Sequence, residues 1–392
     1  MRNKILSLTL VVIMLLTFNF NVSAQETNKS SVLPMVELTK YIKNTSISLS
    51  NEQMNIVFED IKKQILSKYD GIYKFENFSV EFVNEDIGSD KIAIDVNVDV
   101  DMILLRHPAD SPYVKGMQTA LSNIDSEQEK EIAQNEIKAF LAEVEPYYNT
   151  PSLSAFLYRI EFTKSVVNQG VELKLLNNDI QYNLFYRADI LAEETILTPV
   201  ESSEKIDESY AKENGNKAIN DAINKKIYLD GMARYVVVTY NRIAARDYAW
   251  AHAFDVPEFS AANGMGSDCA NFVSKALNTG GIPVNQVGNW YPSPQAGSYA
   301  GFNWMRTGYN NNGGVVPYMV GKGYFYKQTD QSQVFAGSIL YRTDTSHVAL
   351  VTYGDGTIIK YTEHSNVKVS NKDIIYSGSN ANFYMPSDSI LP

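Results

Sequence analysis

Hydrophobic and polar positions recur with two different periods along this chain. Met54, Phe58, Ile61, Ile65 and Tyr69 follow one another at steps of three and four. That spacing lines one face of a helix and predicts an amphipathic helix over "NEQMNIVFEDIKKQILSKY". The preceding "PMVELTKYIKN", residues 34–44, reads as a further helix. The period then falls to two. Ile94, Val96, Val98 and Val100 alternate with Asp95, Asn97, Asp99 and Asp101, which predicts a strand with one apolar and one wet face. These carboxylates are spread along an extended segment without the glycine turn of a calcium loop, so they read as a solvated face. "SEQEKEIAQNEIKAFLAEVEPYY" opens on a serine cap and predicts a helix. "SAFLYRIEFTKSV" and "DIQYNLFYRADILAEETI" predict two more strands, and His107 reads as a turn residue. Residues 35–198 are therefore predicted to form an accessory α+β domain of helices and an antiparallel sheet.

The ends of that domain have their own signals. Arg2 and Lys4 precede an apolar run from Ile5 to Leu16, and "VSA" ends at Ala24. This is the pattern of a signal peptide over residues 1–24. The run is too short for a comfortable span of about 20 residues, so no stable membrane insertion is expected. The expected location is secreted or cell-wall associated. Residues 199–236 are polar and charged and read as a linker and connecting helix. From residue 237 to 385 the composition shifts, with all three tryptophans, three of the four histidines and many glycines. "YNRIAARDYAWAHAFD" predicts a compact helix carrying His252, read as a packing residue.

Composition narrows the function classes. The chain has 392 residues, too many for one small core, and a formal net charge of -11. An acidic chain lacks the basic footprint of a nucleic-acid binder. It has one cysteine, Cys269, so no intrachain disulfide framework supports the fold. No organic cofactor motif is legible.

Cys269 sits in "GMGSDCANFVSKALNTGG". The glycines resist helix, whereas "CANFVSKALNT" presents an apolar face and ends on Gly280-Gly281. Ser267 or Asp268 is expected to cap this helix, with Cys269 in its first turn. Backbone N–H groups there favour a thiolate and can face a developing oxyanion. A thiolate nucleophile needs a base. His347 opens the apolar strand "VALVTY", "GDG" marks a turn, and "TIIKYTEHS" returns. Glu363 or His364 is then placed to orient the imidazole. Alternation allows only one of them to point inward. A zinc site from Cys269, His347 and His364 is the competing chemistry, but it lacks short fixed ligand spacing. Trp290 and Trp304, in "NWYPSPQAGSYAGFNW", either line a cleft or complete the core. Asp268 and Asn271 are candidates for a cap or a substrate contact. Asp344, three residues before His347, reads as a solvated turn.

These segments carry a resemblance. Tyr240, Asn241 and Arg242, then Asp268, Cys269, Asn271, Phe272, Val273, Ser274, Leu277, Gly280 and Gly281, then His347, Val348 and Ala349, together resemble the family called "putative amidase domain" of secreted Gram-positive proteins. That family is similar to the CHAP and NlpC-type cell-wall peptidases. The resemblance covers residues 237–385, less than half of the chain. It implies a papain-like fold, a helix-borne Cys269 nucleophile, His347 as general base and a polar third residue, with His364 preferred to Glu363. The related CHAP pattern of Glu followed by Asn keeps Glu363 and Asn366 in view. The implied function is a cysteine amidohydrolase acting on peptidoglycan or cell-wall peptides, without metal or cofactor. An inactive wall-binding scaffold and an acyl-transferring, transpeptidase-like enzyme are the alternatives. The accessory domain is expected to bind the wall or another protein.

Overall fold

The computed structural model describes residues 42–43, 49–163, 182–187, 197–200, 205–230, 238–258, 268–285, 290–291, 314–343, 347–364, 372–378, 380–387 and 390–391. The expected signal peptide lies outside them. So do most of the helix expected at 34–44, together with Trp304, Asp344 and Asn366.

Local rules account for the helices. Helix α1 (Asn51–Lys68) starts at Ser50, whose side chain accepts from Gln53 N while Gln53 answers to the Ser50 N–H. This reciprocal box satisfies two helix-end donors. Its predicted stripe of Met54, Phe58, Ile61 and Ile65 is buried. Pro112 opens α2 (Pro112–Ser122), and Ser126 caps α3 (Glu127–Val144) as expected. Helix α4 (Glu208–Asp230) packs on α2 and α3. Helices α5 (Arg242–His252), α6 (Cys269–Thr279) and α7 (Val315–Gly321) follow.

The strands are β1 (Ile42–Lys43), β2 (Tyr73–Ile87), β3 (Lys91–Leu104), β4 (Pro151–Thr163), β5 (Asn183–Tyr186), β6 (Thr198–Pro199), β7 (Phe325–Gln328), β8 (Ile339–Arg342), β9 (His347–Gly354), β10 (Ile359–Thr362), β11 (Ile374–Ile375) and β12 (Ala381–Pro386). All join one sheet in the order β1-β2-β3-β4-β11-β10-β9-β8-β12-β7, with β5 bridging β4 and β6. The pairs are antiparallel except β1 with β2 and β4 with β11. Ile42 and Lys43 thus sit in a strand, where the sequence pattern suggested helix.

The β4–β11 pairing makes the sheet continuous from the N-terminal strands to the C-terminal ones, through Ala155 opposite Ile374. Side chains reinforce the join. Tyr73 Oη lies 3.2 Å from Tyr353 Oη and donates to Asp355 at 2.6 Å. Lys360 donates to Ser154 Oγ at 2.8 Å. Glu143 accepts from Arg242 and, at 2.7 Å, from Ala336 N–H.

One sequence expectation is corrected. The wet face of β3 is not wet along its length: Asp95 and Asn97 are each only 3% exposed. The cause is charge pairing. Asp95 accepts from Arg159 at 3.1 Å and from Arg187 at 3.3 Å, and Arg187 also donates to Asn97. A buried carboxylate is tolerable when paired in this way.

Candidate functional site

The motif residues before the cysteine helix are fixed by packing. Asn241 caps α5 by accepting from Ile243 N and Ala244 N. Tyr240 is buried, and its hydroxyl donates to Gly337 O at 2.8 Å. The Asn241 N–H donates to Gly280 O at 2.6 Å. Gly281 has φ +108°, and a Cβ there would stand 2.5 Å from Thr239 O. Both the torsion and the close approach demand glycine. The Tyr-Asn and Gly-Gly pieces of the pattern thus meet, locking the end of α6 to the start of α5.

Helix α6 begins at Cys269, with Asp268 at the N-cap. The helix start agrees with the sequence reading, and the thiol is buried. The cap differs, because the Asp268 side chain makes no capping bond. Its Oδ1 accepts from Asn271 Nδ2 at 2.8 Å, and its Oδ2 lies 2.7 Å from His364 Nδ1. The His364 ring stacks on Phe272, with centroids 4.3 Å apart at 20°. His364 Nε2 meets the His252 carbonyl at 2.6 Å. Asn271 also donates to Glu258 at 3.3 Å, and Lys275 pairs with Glu258. Burial works against the Glu258 carboxylate, but Lys275, Asn271 and His364 outweigh it and hold its pKa below the usual range.

Beside this helix start lies the end of a strand pair. His347 is the first residue of β9, opposite Arg342 in β8. It is 1% exposed, and its Nε2 lies 2.6 Å from Oε2 of Glu363, itself fully buried. An ionised carboxylate only accepts, so against an ionised Glu363 the hydrogen of this contact belongs to Nε2. Nδ1 is buried with no hydrogen-bond partner among the described residues. Burial alone would lower Arg342, but Tyr361 and Glu363 outweigh it and hold the guanidinium above its ordinary pKa.

Two packing layers flank β9. Val348 and Leu350 pack with Cys269, Phe272 and Leu277 under α6. Ala349 and Val351 pack with Leu340, Tyr361 and Phe383 on the other face. His347, at the strand's end, shares the parity of the second set, as does Arg342 opposite it, so its side chain leaves β9 on the face away from α6. The Asp268–His364 contact brings the start of α6 to that same end. The start of β9, the end of β10 and the start of α6 therefore come together.

The site residues sort as follows. The partner of His347 is Glu363, the alternative third residue; His364, which the resemblance favoured, faces Asp268 instead. The reason is the pleat: consecutive residues leave a strand on opposite sides. Asp268 and Asn271 bind one another and the neighbouring carboxylate and imidazole. Trp290 is core: it is 1% exposed, donates to Ser274 Oγ at 3.2 Å and stacks on Tyr318. His252 pairs through its ring with Asp255 and contributes its carbonyl to His364. Arg342 was not singled out in the sequence, where an arginine ending a short strand gives no signal of burial. No group of three or more His, Cys, Asp or Glu side chains among the described residues could hold a metal ion. No helix among them is long and apolar enough to cross a membrane.

A family model described as "Putative amidase domain" matches residues 239–385. That stretch holds α5, α6, the β9–β10 hairpin and every residue of the site. No curated protein matches the chain. No solved structure matches it.

Proposed function

We propose that this protein is a cysteine-dependent amidohydrolase that cleaves an amide bond in peptidoglycan or its stem peptides. The observation that carries the reading is His347. Its Nε2 lies 2.6 Å from Glu363 Oε2 while Nδ1 has no hydrogen-bond partner among the described residues, and Cys269 opens the helix packed on the same strand. An imidazole oriented by a buried carboxylate, with one lone pair unspent, is equipped to take a proton. A thiol in the first turn of a helix is equipped to give one up. The amidase-domain match over residues 239–385 supports the bond type.

In this reading Nδ1 of His347 takes the Cys269 proton, and the thiolate attacks the amide carbonyl. The tetrahedral oxyanion is held by backbone N–H groups at the start of α6. The imidazolium returns its proton to the leaving amine, and the acyl group remains on sulfur. Water, deprotonated by the same imidazole, then releases the acid and regenerates the thiol. Glu363 keeps the ring in the useful tautomer throughout. The arrangement is papain-like in its order of roles, similar to CHAP and NlpC-type peptidases. We assign the substrate class to the cell wall because the chain opens on a signal-peptide pattern that would export it.

The test uses the chain without residues 1–24, as wild type and as Cys269→Ala, with purified Gram-positive peptidoglycan. Released fragments are read by mass spectrometry. New amine termini or lactyl ends seen only with the wild type support the reading. No release by either form in reducing buffer from about pH 5 to 9 would sink it, and an inactive wall-binding scaffold would take its place.

A further inference from the structure

We propose that His364 is a positioning residue. With Asp268 it forms a clamp that fastens the start of the Cys269 helix to the end of β10, and so fixes the helix turn that carries the thiol. The inference rests on the cysteine-hydrolase reading above and gives His364 a part distinct from that of a third catalytic residue.

Both ring nitrogens of His364 are engaged. His364 Nε2 lies 2.6 Å from the His252 carbonyl, which can only accept. Nε2 therefore carries a hydrogen. Nδ1 lies 2.7 Å from Asp268 Oδ2, and a second proton sits between these two atoms. Neither nitrogen has a lone pair left for a thiol proton. Nδ1 of His347, by contrast, has no hydrogen-bond partner among the described residues. The two histidines at this end of the sheet are thus bonded differently: both ring nitrogens of His364 are engaged, and one of His347 is not.

Asp268 forgoes the bond its position offers. An aspartate at an N-cap ordinarily accepts from a backbone N–H two or three residues on. Asp268 does not: its oxygens go to Asn271 and His364. The helix gives up its best local cap to hold on to β10.

Adjacency in sequence ties the clamp to its neighbours. Asp268 precedes Cys269, and Glu363 precedes His364. The four side chains thus form two consecutive pairs. One member of each pair joins the clamp, and the other is thiol or carboxylate partner of His347. A shift of α6 against β10 must break the Asp268–His364 contact or drag the backbone next to Glu363. The groups facing His364 are Asp268 and Phe272 from α6, the His252 carbonyl from the end of α5, and Glu258, which feels the His364 charge and is paired with Lys275 and Asn271.

Cys269 is the only cysteine, so its alkylation by iodoacetamide can be followed by intact mass without substrate. The experiment measures the alkylation rate against pH for wild type, His364→Gln, Asp268→Asn and the double variant, all in the otherwise complete chain. A thiol in the first turn of a firmly held helix reacts at lower pH than an ordinary thiol of about 8.5. Both single variants are expected to move the inflection upward by a similar step, about half a pH unit or more. The double variant should move it no further than the larger single step, because one clamp can be lost only once. In wall digestion the same variants should lower kcat with KM little changed. Unchanged inflections in the singles, or a double shift equal to their sum, would overturn the clamp. Should His364→Gln fail to fold, Asp268→Asn keeps the shape of the cap and decides alone. A wild type that never digests wall refutes the proposed function, while the alkylation series still judges the clamp.

Discussion

Glu363 and His364 are neighbours in sequence and leave the end of β10 on opposite sides, the one to reach His347 Nε2 at 2.6 Å, the other to reach Asp268 Oδ2 at 2.7 Å. Two consecutive residues thereby serve two elements, the strand that carries the imidazole and the helix that carries the thiol.

The first of these contacts predicts a rate effect with little loss of structure. Glu363→Gln keeps an oxygen that can accept from Nε2 but loses the charge that stabilises an imidazolium. Wall digestion should fall in kcat by about 10²- to 10⁴-fold. KM should change little. Steady-state kinetics and a thermal melt check this together, since a variant that merely unfolds would lose its transition as well.

The join between the N-terminal and C-terminal strands should be felt on breaking one buried pair. Glu143 holds Arg242 and the Ala336 N–H from the opposite side of that join. Glu143→Ala leaves both without their acceptor and should cost about 3 kcal/mol. Urea unfolding followed by tyrosine and tryptophan fluorescence should show one transition at lower midpoint. Two separated transitions would mean that the segments melt independently.

Lys360 should make stability depend on pH on the alkaline side. Burial lowers its pKa, with Asp373 and Asp355 pulling partly back. The folded chain therefore gives up this proton at lower pH than the unfolded chain, which holds it to about 10.4. Between those two values the unfolded state binds more protons, so this group's contribution to stability rises with pH. Relative to Lys360→Met, the wild type should gain in midpoint as pH is raised from neutral toward 10. A constant difference between the two would contradict the assignment.

Trp290 tests whether a tryptophan near the cysteine helix grips substrate or fills the core. Its burial and its bond to Ser274 assign it to the core. Trp290→Ala should destabilise by about 3–5 kcal/mol. Trp290→Phe, which keeps most of the ring stacked near Tyr318, should leave KM unchanged. A large KM increase in the folded Phe variant would argue for substrate contact.

Much of this was legible because it rests on local rules. The Met54–Ile65 stripe, the Ser126 cap, the Gly280-Gly281 stop and the strand opening at His347 each depend on residues within a few positions of one another. What escaped depends on partners far along the chain. The alternation of β3 promised a wet face, yet Arg159 and Arg187 cover Asp95 from 64 and 92 residues away. Asp268 looked like a simple cap, and its true partner lies 96 residues on. The choice between Glu363 and His364 turned on which side of β10 faces His347, and the parity of a short strand cannot be referred to a partner strand before the register is known. The pairing of β4 with β11, through one residue opposite another, left no trace in either segment.

The central claim is that Cys269 is the nucleophile, and having a single cysteine allows it to be tested in one titration. Iodoacetamide is added in steps to the protein lacking residues 1–24, and each sample is split between intact mass and wall digestion. The account expects digestion to fall in proportion to the alkylated fraction and to vanish when every Cys269 is modified. Full alkylation with digestion undiminished would contradict it.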